Sequence, residues 1–345
     1  MRTFIVFLFA LLIGAAAGVY GSRTEPTSGM IDQVLEPVPD EVRVPAIALE
    51  DGATHYSKDA LASLDMQSCF DEVAAFPDGA ERVSLQRDAR PAPEEGAWTF
   101  PNLADHPGLV KVEQLTSTLG TSREHCGATR ISEHWFMTAS HCVINYQVMS
   151  APVIDLILVT PGTDTYSESV QPVPVTGAVC HHDFGMDAWR FSNDIALLYV
   201  ADVSLLEAVD IATLEPSDLE LRRGDIATLY LSGWGSNGDF RFLQGGEVLP
   251  EYVGQSVIVT ARIDGRGPDV GDSGSPLYTR LDGQPVVMGV LSNVRTRVPV
   301  ELKSAAFVRV KGVRDWLETA MTLCEQDGQF VCGMAVPSAE PADAL

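Results

Sequence analysis

Gly271-Asp272-Ser273-Gly274-Ser275-Pro276-Leu277 sets a serine between glycines on a tight turn ahead of an apolar run. Glycine tolerates the backbone conformations such a turn requires, so the N–H groups of Gly271 and Ser273 can converge and stabilise an oxyanion. A Gly-x-Ser-Gly turn is weak by itself, because glycine-serine turns occur in loops of every class. With serine at position 275 the stretch also lacks the second glycine of the α/β-hydrolase elbow.

Two stretches upstream supply what such a serine would need. Met137-Thr138-Ala139-Ser140-His141-Cys142 ends an apolar run on a histidine, with Cys126-Gly127 sixteen residues before Cys142-Val143. An isolated histidine is most often structural; this one adjoins a cysteine that a disulfide could anchor, which would hold the histidine's backbone in place. A bridge closing so short a loop contributes about 3 kcal/mol. In Ser192-Asn193-Asp194-Ile195-Ala196-Leu197-Leu198 a single carboxylate stands at the mouth of an apolar strand. It reads as a turn aspartate or as a buried carboxylate in need of a hydrogen-bond partner, a need that an imidazole N–H would meet.

Around these stretches the texture is that of an all-β protein. From about residue 108 short β-rich runs recur at Val153–Val159, Ile195–Val200, Ile226–Leu231, Ser256–Ile263, Val286–Leu291 and Phe307–Val310, separated by turn residues as in a barrel or sandwich. A closing segment places Val313, Trp316, Leu317 and Met321 on one helical face. Residues 22–95 differ: prolines interrupt short apolar pieces among many acidic residues, and only Lys58–Cys69 has a helical texture. We read 22–95 as a pro-region or N-terminal extension, 96–325 as the main domain and 326–345 as a C-terminal tail, unordered from Gly333 onward. No internal repeat is visible.

The start of the chain sets the expected compartment. Met1 and Arg2 precede the apolar stretch Phe4–Ile13 and then Ala15, Ala16 and Ala17, the layout of a secretory signal spanning residues 1–21. The expected product is secreted or periplasmic and off the membrane once the signal is removed; an uncleaved signal would instead serve as an anchor. Six cysteines, all beyond the signal, then argue for disulfides. Cys180-His181-His182-Asp183 offers metal-ligand types, but consecutive side chains seldom converge on one ion, and we expect no metal there. With 345 residues and 46% apolar content the chain can fill a sizeable core. Its formal charge of −24 opposes a polyanionic partner, so a nucleic-acid ligand is not expected.

Taken together the three stretches resemble the trypsin/chymotrypsin family, whose Thr-Ala-x-His-Cys, Asn-Asp-Ile-Ala-Leu-Leu and Gly-Asp-Ser-Gly signatures occur here in the family's order, His before Asp before Ser. Ser232-Gly233-Trp234-Gly235, Gly289-Val290-Leu291-Ser292 and Val313-Arg314-Asp315-Trp316-Leu317 extend the match, which covers about residues 107–323. The resemblance implies two packed six-stranded antiparallel barrels with a C-terminal helix, and a serine endopeptidase site in the cleft between them. It also implies the roles: Ser273 attacks the carbonyl, His141 takes the proton and passes it to the leaving amine, and Asp194 holds the imidazole, with Gly271 and Ser273 forming the oxyanion hole. No cofactor is needed, substrates are proteins or peptides, and a monomer is expected. A Cys126–Cys142 disulfide follows from the same likeness. Cys324–Cys332 would close a short loop, and Cys69–Cys180 is the remaining pair.

The sequence also departs from the family. The cysteine usual four residues before the nucleophile is Asp269, so the disulfide that braces the specificity pocket is absent. The pocket floor falls on Gly267 and the walls on Ser292, Asn293, Val294 and Ala305, which favours small or medium apolar P1 residues. If the loop sits differently, Asp264 or Asp269 would serve a basic P1 instead. The family's activation cut, which frees an ammonium to pair with Asp272, has no counterpart at Glu95-Gly96-Ala97-Trp98-Thr99. Either Arg82-Val83 is the junction, or an internal group satisfies Asp272 in an uncleaved chain; we favour the second. Two readings of other classes are a protease-like binding module without catalysis and an esterase with the same triad. A casein digest beside an ester assay separates them.

Overall fold

Strand pairing in the computed structural model makes two large sheets and three two-stranded hairpins among the described residues. The structure describes residues 103–115, 123–144, 153–158, 172–182, 184–187, 190–220, 228–235, 243–263, 267–297 and 302–332, preceded by 46–48, 54–56, 61 and 66–69. All of them belong to the unit Val44–Leu345. The expected signal at 1–21, the Arg82-Val83 junction and the tail from Gly333 lie outside the described residues.

The first sheet contains β1 (Met66–Ser68), β2 (Leu109–Leu115), β3 (Arg123–Arg130), β4 (Trp135–Thr138), β5 (Val153–Leu158), β6 (Pro172–Pro174), β7 (Gly177–His181) and β8 (Ala196–Tyr199). Their order is β1-β7-β8-β4-β3-β2-β5-β6. β6 and β7 lie toward opposite ends of that order, yet only Val175 and Thr176 separate them in the chain. Two residues reach roughly 7 Å, so the sheet must curl until its ends meet. Counting β6 and β7 as one bent strand, the wall is a six-stranded barrel with β1 added outside β7. Trp135, Phe136 and Met137 of β4 and Leu197 and Leu198 of β8 are fully buried in its core.

The second sheet is a closed six-stranded barrel of β9 (Leu229–Gly233), β10 (Gln244–Val253), β11 (Val257–Ala261), β12 (Pro276–Leu281), β13 (Gln284–Arg297) and β14 (Leu302–Arg309). Leu229, Leu231, Ile258, Leu277, Met288, Leu291 and Phe307 fill it. The connection between barrels is fastened by charge. Arg130 Nη1 donates to the carbonyls of Leu206 and Val209 at 2.9 and 2.7 Å, and buried Arg309 Nε reaches both carboxylate oxygens of buried Glu215 at 3.1 Å.

Helix α1 (Val310–Cys324) buries Val313, Trp316, Leu317, Ala320 and Cys324, the three-to-four spacing of one apolar face. It leads into a short hairpin, Glu325–Gln326 with Gln329–Phe330, closed by the Cys324–Cys332 disulfide. The same packing corrects one expectation, since Met66–Ser68 is a strand where a helix was read over Lys58–Cys69. It pairs as Met66 with His181, Gln67 with Cys180 and Ser68 with Val179, and the Cys69–Cys180 disulfide pins it. Met66 is fully buried, its sulfur 4.0 Å from Cys324 Sγ, and Leu61 joins the same core. A vacant strand edge and a core site outweighed local propensity.

Candidate functional site

The Cys126–Cys142 disulfide ties β3 to the 3-10 turn Ser140–Cys142, and that turn presents His141. Opposite it, Asp194 is wholly buried at the mouth of β8, after Asn193 in a left-handed conformation with φ 47°. His141 meets the carboxylate twice: its backbone N–H donates to Oδ1 at 2.9 Å, and ring Nδ1 lies 2.7 Å from Oδ2. The Ser140 hydroxyl locks the same turn to the Ile195 carbonyl at 2.6 Å. The imidazole itself is about one-fifth exposed, at 19%. A buried carboxylate therefore fixes the orientation of a partly open imidazole.

A further donor to Asp194 comes from the other barrel. The Ser292 hydroxyl donates to Oδ2 at 2.7 Å. Ser292 sits at a β-bulge, where the β13–β14 register slips between Leu291 and Asn293, and a bulge re-aims a side chain. The sequence placed Ser292 on the pocket wall and gave no sign of this bond. Only the bulge reveals it.

The loop that carries Ser273 is held from both barrels. The Gly127 N–H donates to the Ser273 carbonyl at 2.7 Å, and the Gly274 N–H donates to the Leu291 carbonyl at 2.8 Å. Gly274 has φ +76°, and a Cβ there would lie 2.3 Å from both the Gly127 carbonyl and Thr138 Oγ1 and 3.3 Å from the Ala139 nitrogen. Only glycine fits, and the contact brings the loop to within two residues of His141. Gly271, at φ +98°, and Ser273 keep their backbone N–H groups unengaged among the described residues. That is what two oxyanion donors require.

Asp272 points away into the second barrel. Its Oδ1 accepts from the Gly235 N–H at 2.6 Å and its Oδ2 from the Asp269 N–H at 2.9 Å. A Cβ at Gly235 would stand 2.2 Å from Oδ2 and would force the Asp272 carboxylate to shift. Burial pushes the Asp272 carboxyl up to about 7; the two backbone donors and the Arg262 charge pull the other way, and the Asp269 charge adds to the rise.

The pocket positions divide. Val294 and Ala305 face each other across β13 and β14, and Ala305 is buried in the barrel core with Val294 packed against it. Asn293 is half-buried opposite Ala306. Gly267 is buried against Arg262, whose Cγ would lie 2.4 Å from an added Cβ. Asp269 carries an ion pair with Arg262 at 3.3 Å, which engages the carboxylate considered for a basic P1; Asp264 lies outside the described residues. Cys126, His141 and Cys142 cluster like metal ligands, but both sulfurs are committed to one disulfide, as is that of Cys180.

The trypsin family model matches residues 111–317. Human chymotrypsin-like elastase family member 1 is 31% identical over 222 residues, covering 59% of this chain and 83% of that protein. Its rat counterpart is 31% identical over 265 residues, 71% of this chain and 92% of that protein. A collagenase of Hypoderma lineatum is 29% identical over 210 residues, 57% and 76% of the two chains.

Proposed function

The chain belongs to the trypsin family and is a serine-type endopeptidase, and from that premise we propose that it cleaves polypeptides through an acyl-enzyme on Ser273, outside the cell that makes it. The observation that carries this reading is the doubly held His141–Asp194 pair beside a loop whose backbone N–H groups at Gly271 and Ser273 are available. Ser273 Oγ attacks the scissile carbonyl while His141 accepts its proton. The oxyanion forms against the two N–H groups, and His141 returns the proton to the leaving amine. Water then repeats the sequence to release the acid. Asp194, held by Ser292 and the His141 backbone, keeps the imidazole in the required tautomer and balances its charge. Three disulfides suit an oxidising compartment, in keeping with export directed by residues 1–21.

For the P1 residue we propose a small or medium apolar side chain. The floor at Gly267 rests on the stem of Arg262, the guanidinium is turned to the Pro268 carbonyl at 2.7 Å and to Asp269, and the walls carry Val294 and Ala305. Several of the similar proteins are named elastases, which agrees with such a pocket. A mixed peptide library incubated with the purified protein tests both parts. Cleavage after Ala, Val or Leu, absent in Ser273→Ala, is expected; dominant cleavage after Arg would overturn the pocket, and peptide cleavage retained by Ser273→Ala would overturn the mechanism.

A further inference from the structure

A trypsin-like nucleophile loop needs something to hold it in shape, and two braces expected from the family resemblance are missing or displaced here. No cysteine stands at position 269, and the sequence offers no activation start near residues 95–100. In their place the structure shows a continuous run of polar contacts. Arg262, at the end of β11, donates through Nη2 to the Pro268 carbonyl at 2.7 Å and pairs with Asp269 Oδ2 at 3.3 Å, its side chain 9% exposed. Asp269 Oδ1 accepts from the Val270 N–H at 2.9 Å. The Asp269 N–H donates to Asp272 Oδ2 at 2.9 Å, and the Asp272 N–H returns to the Asp269 carbonyl at 3.1 Å. Asp272 Oδ1 is then tied to Gly235 at the end of β9, and the Asp272 carbonyl accepts from Ser275 at 3.0 Å.

We propose that the Arg262–Asp269 ion pair is the brace that sets the nucleophile loop and the pocket floor of this enzyme, and that it does so in the uncleaved chain. The proposal rests on the catalytic reading above. Both ends of the segment 267–272 are fastened: the first by the Arg262 stem under Gly267 and its guanidinium on Pro268 and Asp269, the second by Asp272 on Gly235. Gly271 and Ser273, the two oxyanion donors, flank the second anchor. Arg262 pairs with Asp269, whose backbone N–H in turn holds Asp272 Oδ2, so a fixed cation stands one residue away from the carboxylate that a new N-terminal ammonium would otherwise meet. Because a half-buried ion pair braces only while both partners are present, removing either one loosens the loop without emptying a core site. Arg262 and Asp269 are positioning residues, since they act through the backbone of Gly271 and Ser273.

The test uses the full-length chain, with Arg82→Gln added to block the Arg82-Val83 junction. Active molecules are tagged with a fluorophosphonate and run on a reducing gel, because the Cys69–Cys180 disulfide would hold a cut chain together otherwise. The labelled band is expected at full length less the signal, with peptide hydrolysis within twofold of the Arg82-containing enzyme. Arg262→Met, which keeps an apolar stem under Gly267, and Asp269→Asn are expected to lower kcat roughly 30-fold with KM changed less than threefold, while Arg262→Lys recovers most of kcat. Asp269→Asn carries the decision if Arg262→Met fails to fold. Wild-type kcat in Arg262→Met and in Asp269→Asn, or label found only on a shortened chain, would overturn the proposal. An enzyme inert in every form, with no label on Ser273, would instead sink the catalytic reading.

Discussion

Ser292 of the second barrel donates its hydroxyl to the Oδ2 oxygen of Asp194 in the first at 2.7 Å, the same oxygen that faces His141 Nδ1. The carboxylate that orients the imidazole is thus itself held from the opposite side of the cleft, so the relative placement of the barrels is written into the site. A hydrogen bond to a charged group contributes about 1.5–3 kcal/mol. Ser292→Ala should lower kcat roughly 10-fold to 100-fold and leave KM near its starting value. A change confined to KM would mean that Ser292 acts as a pocket wall and not through Asp194.

The three triad positions should behave as a unit. Ser273→Ala, His141→Ala and Asp194→Asn are each expected to cost about 10⁴-fold or more in kcat, and pairs of them little beyond a single one. Far-UV circular dichroism should stay unchanged, because none of the three replacements opens the apolar core. Additive losses in the double variants would count against a shared proton path.

Much of this site was legible in the sequence because its signals are local. His141 follows an apolar strand and adjoins its anchoring cysteine, and Gly274 marks a turn that no other residue fits. The strand at Met66–Ser68 was not legible, since its conformation is decided by the edge of β7 and by Cys180, 111 residues from Cys69. The role of Arg262 was equally hidden. Its partner Asp269 is close in sequence, but nothing in the intervening Gly-rich loop tells which way either side chain turns. Ser292 could be assigned to the cleft, while its bond to Asp194 depends on a one-residue bulge that composition does not encode.

Asp272 should leave a mark on stability as pH changes. Its ordinary value is 3.8, and burial raises it to about 7 in the folded protein. Below the ordinary value both folded and unfolded chains hold the proton; between the two values only the folded one does. Stability from this group is therefore fully present at acid pH and declines as pH rises toward about 7, then levels off. Melting temperatures from pH 4 to 8 should fall for the wild type relative to Asp272→Asn, which does not titrate. A flat difference, or one rising with pH, would contradict the burial of this carboxyl.

The buried pair between Arg309 and Glu215 fixes the crossover to the second barrel, with side chains 3% and 0% exposed. Removing one partner strands the other charge, at a cost of about 3–5 kcal/mol. Glu215→Gln should lower the melting temperature by several degrees without changing the P1 preference. A shift of under one degree would mean that solvent reaches the site.

Pocket size should respond to the walls. Val294→Gly with Ala305→Gly removes the two side chains proposed as pocket walls, which face each other across β13 and β14. The ratio of kcat/KM for a Phe over an Ala P1 substrate should rise roughly 10-fold or more, the scale set by a few methylene groups. An unchanged ratio would place P1 elsewhere.

The identity of the nucleophile is tested most directly by stoichiometric fluorophosphonate labelling followed by peptide mapping. One adduct per chain on the peptide carrying Ser273, lost in His141→Ala and matched by loss of peptide hydrolysis, is the predicted result. Full hydrolysis with no adduct on Ser273, or an adduct on another serine, would contradict it.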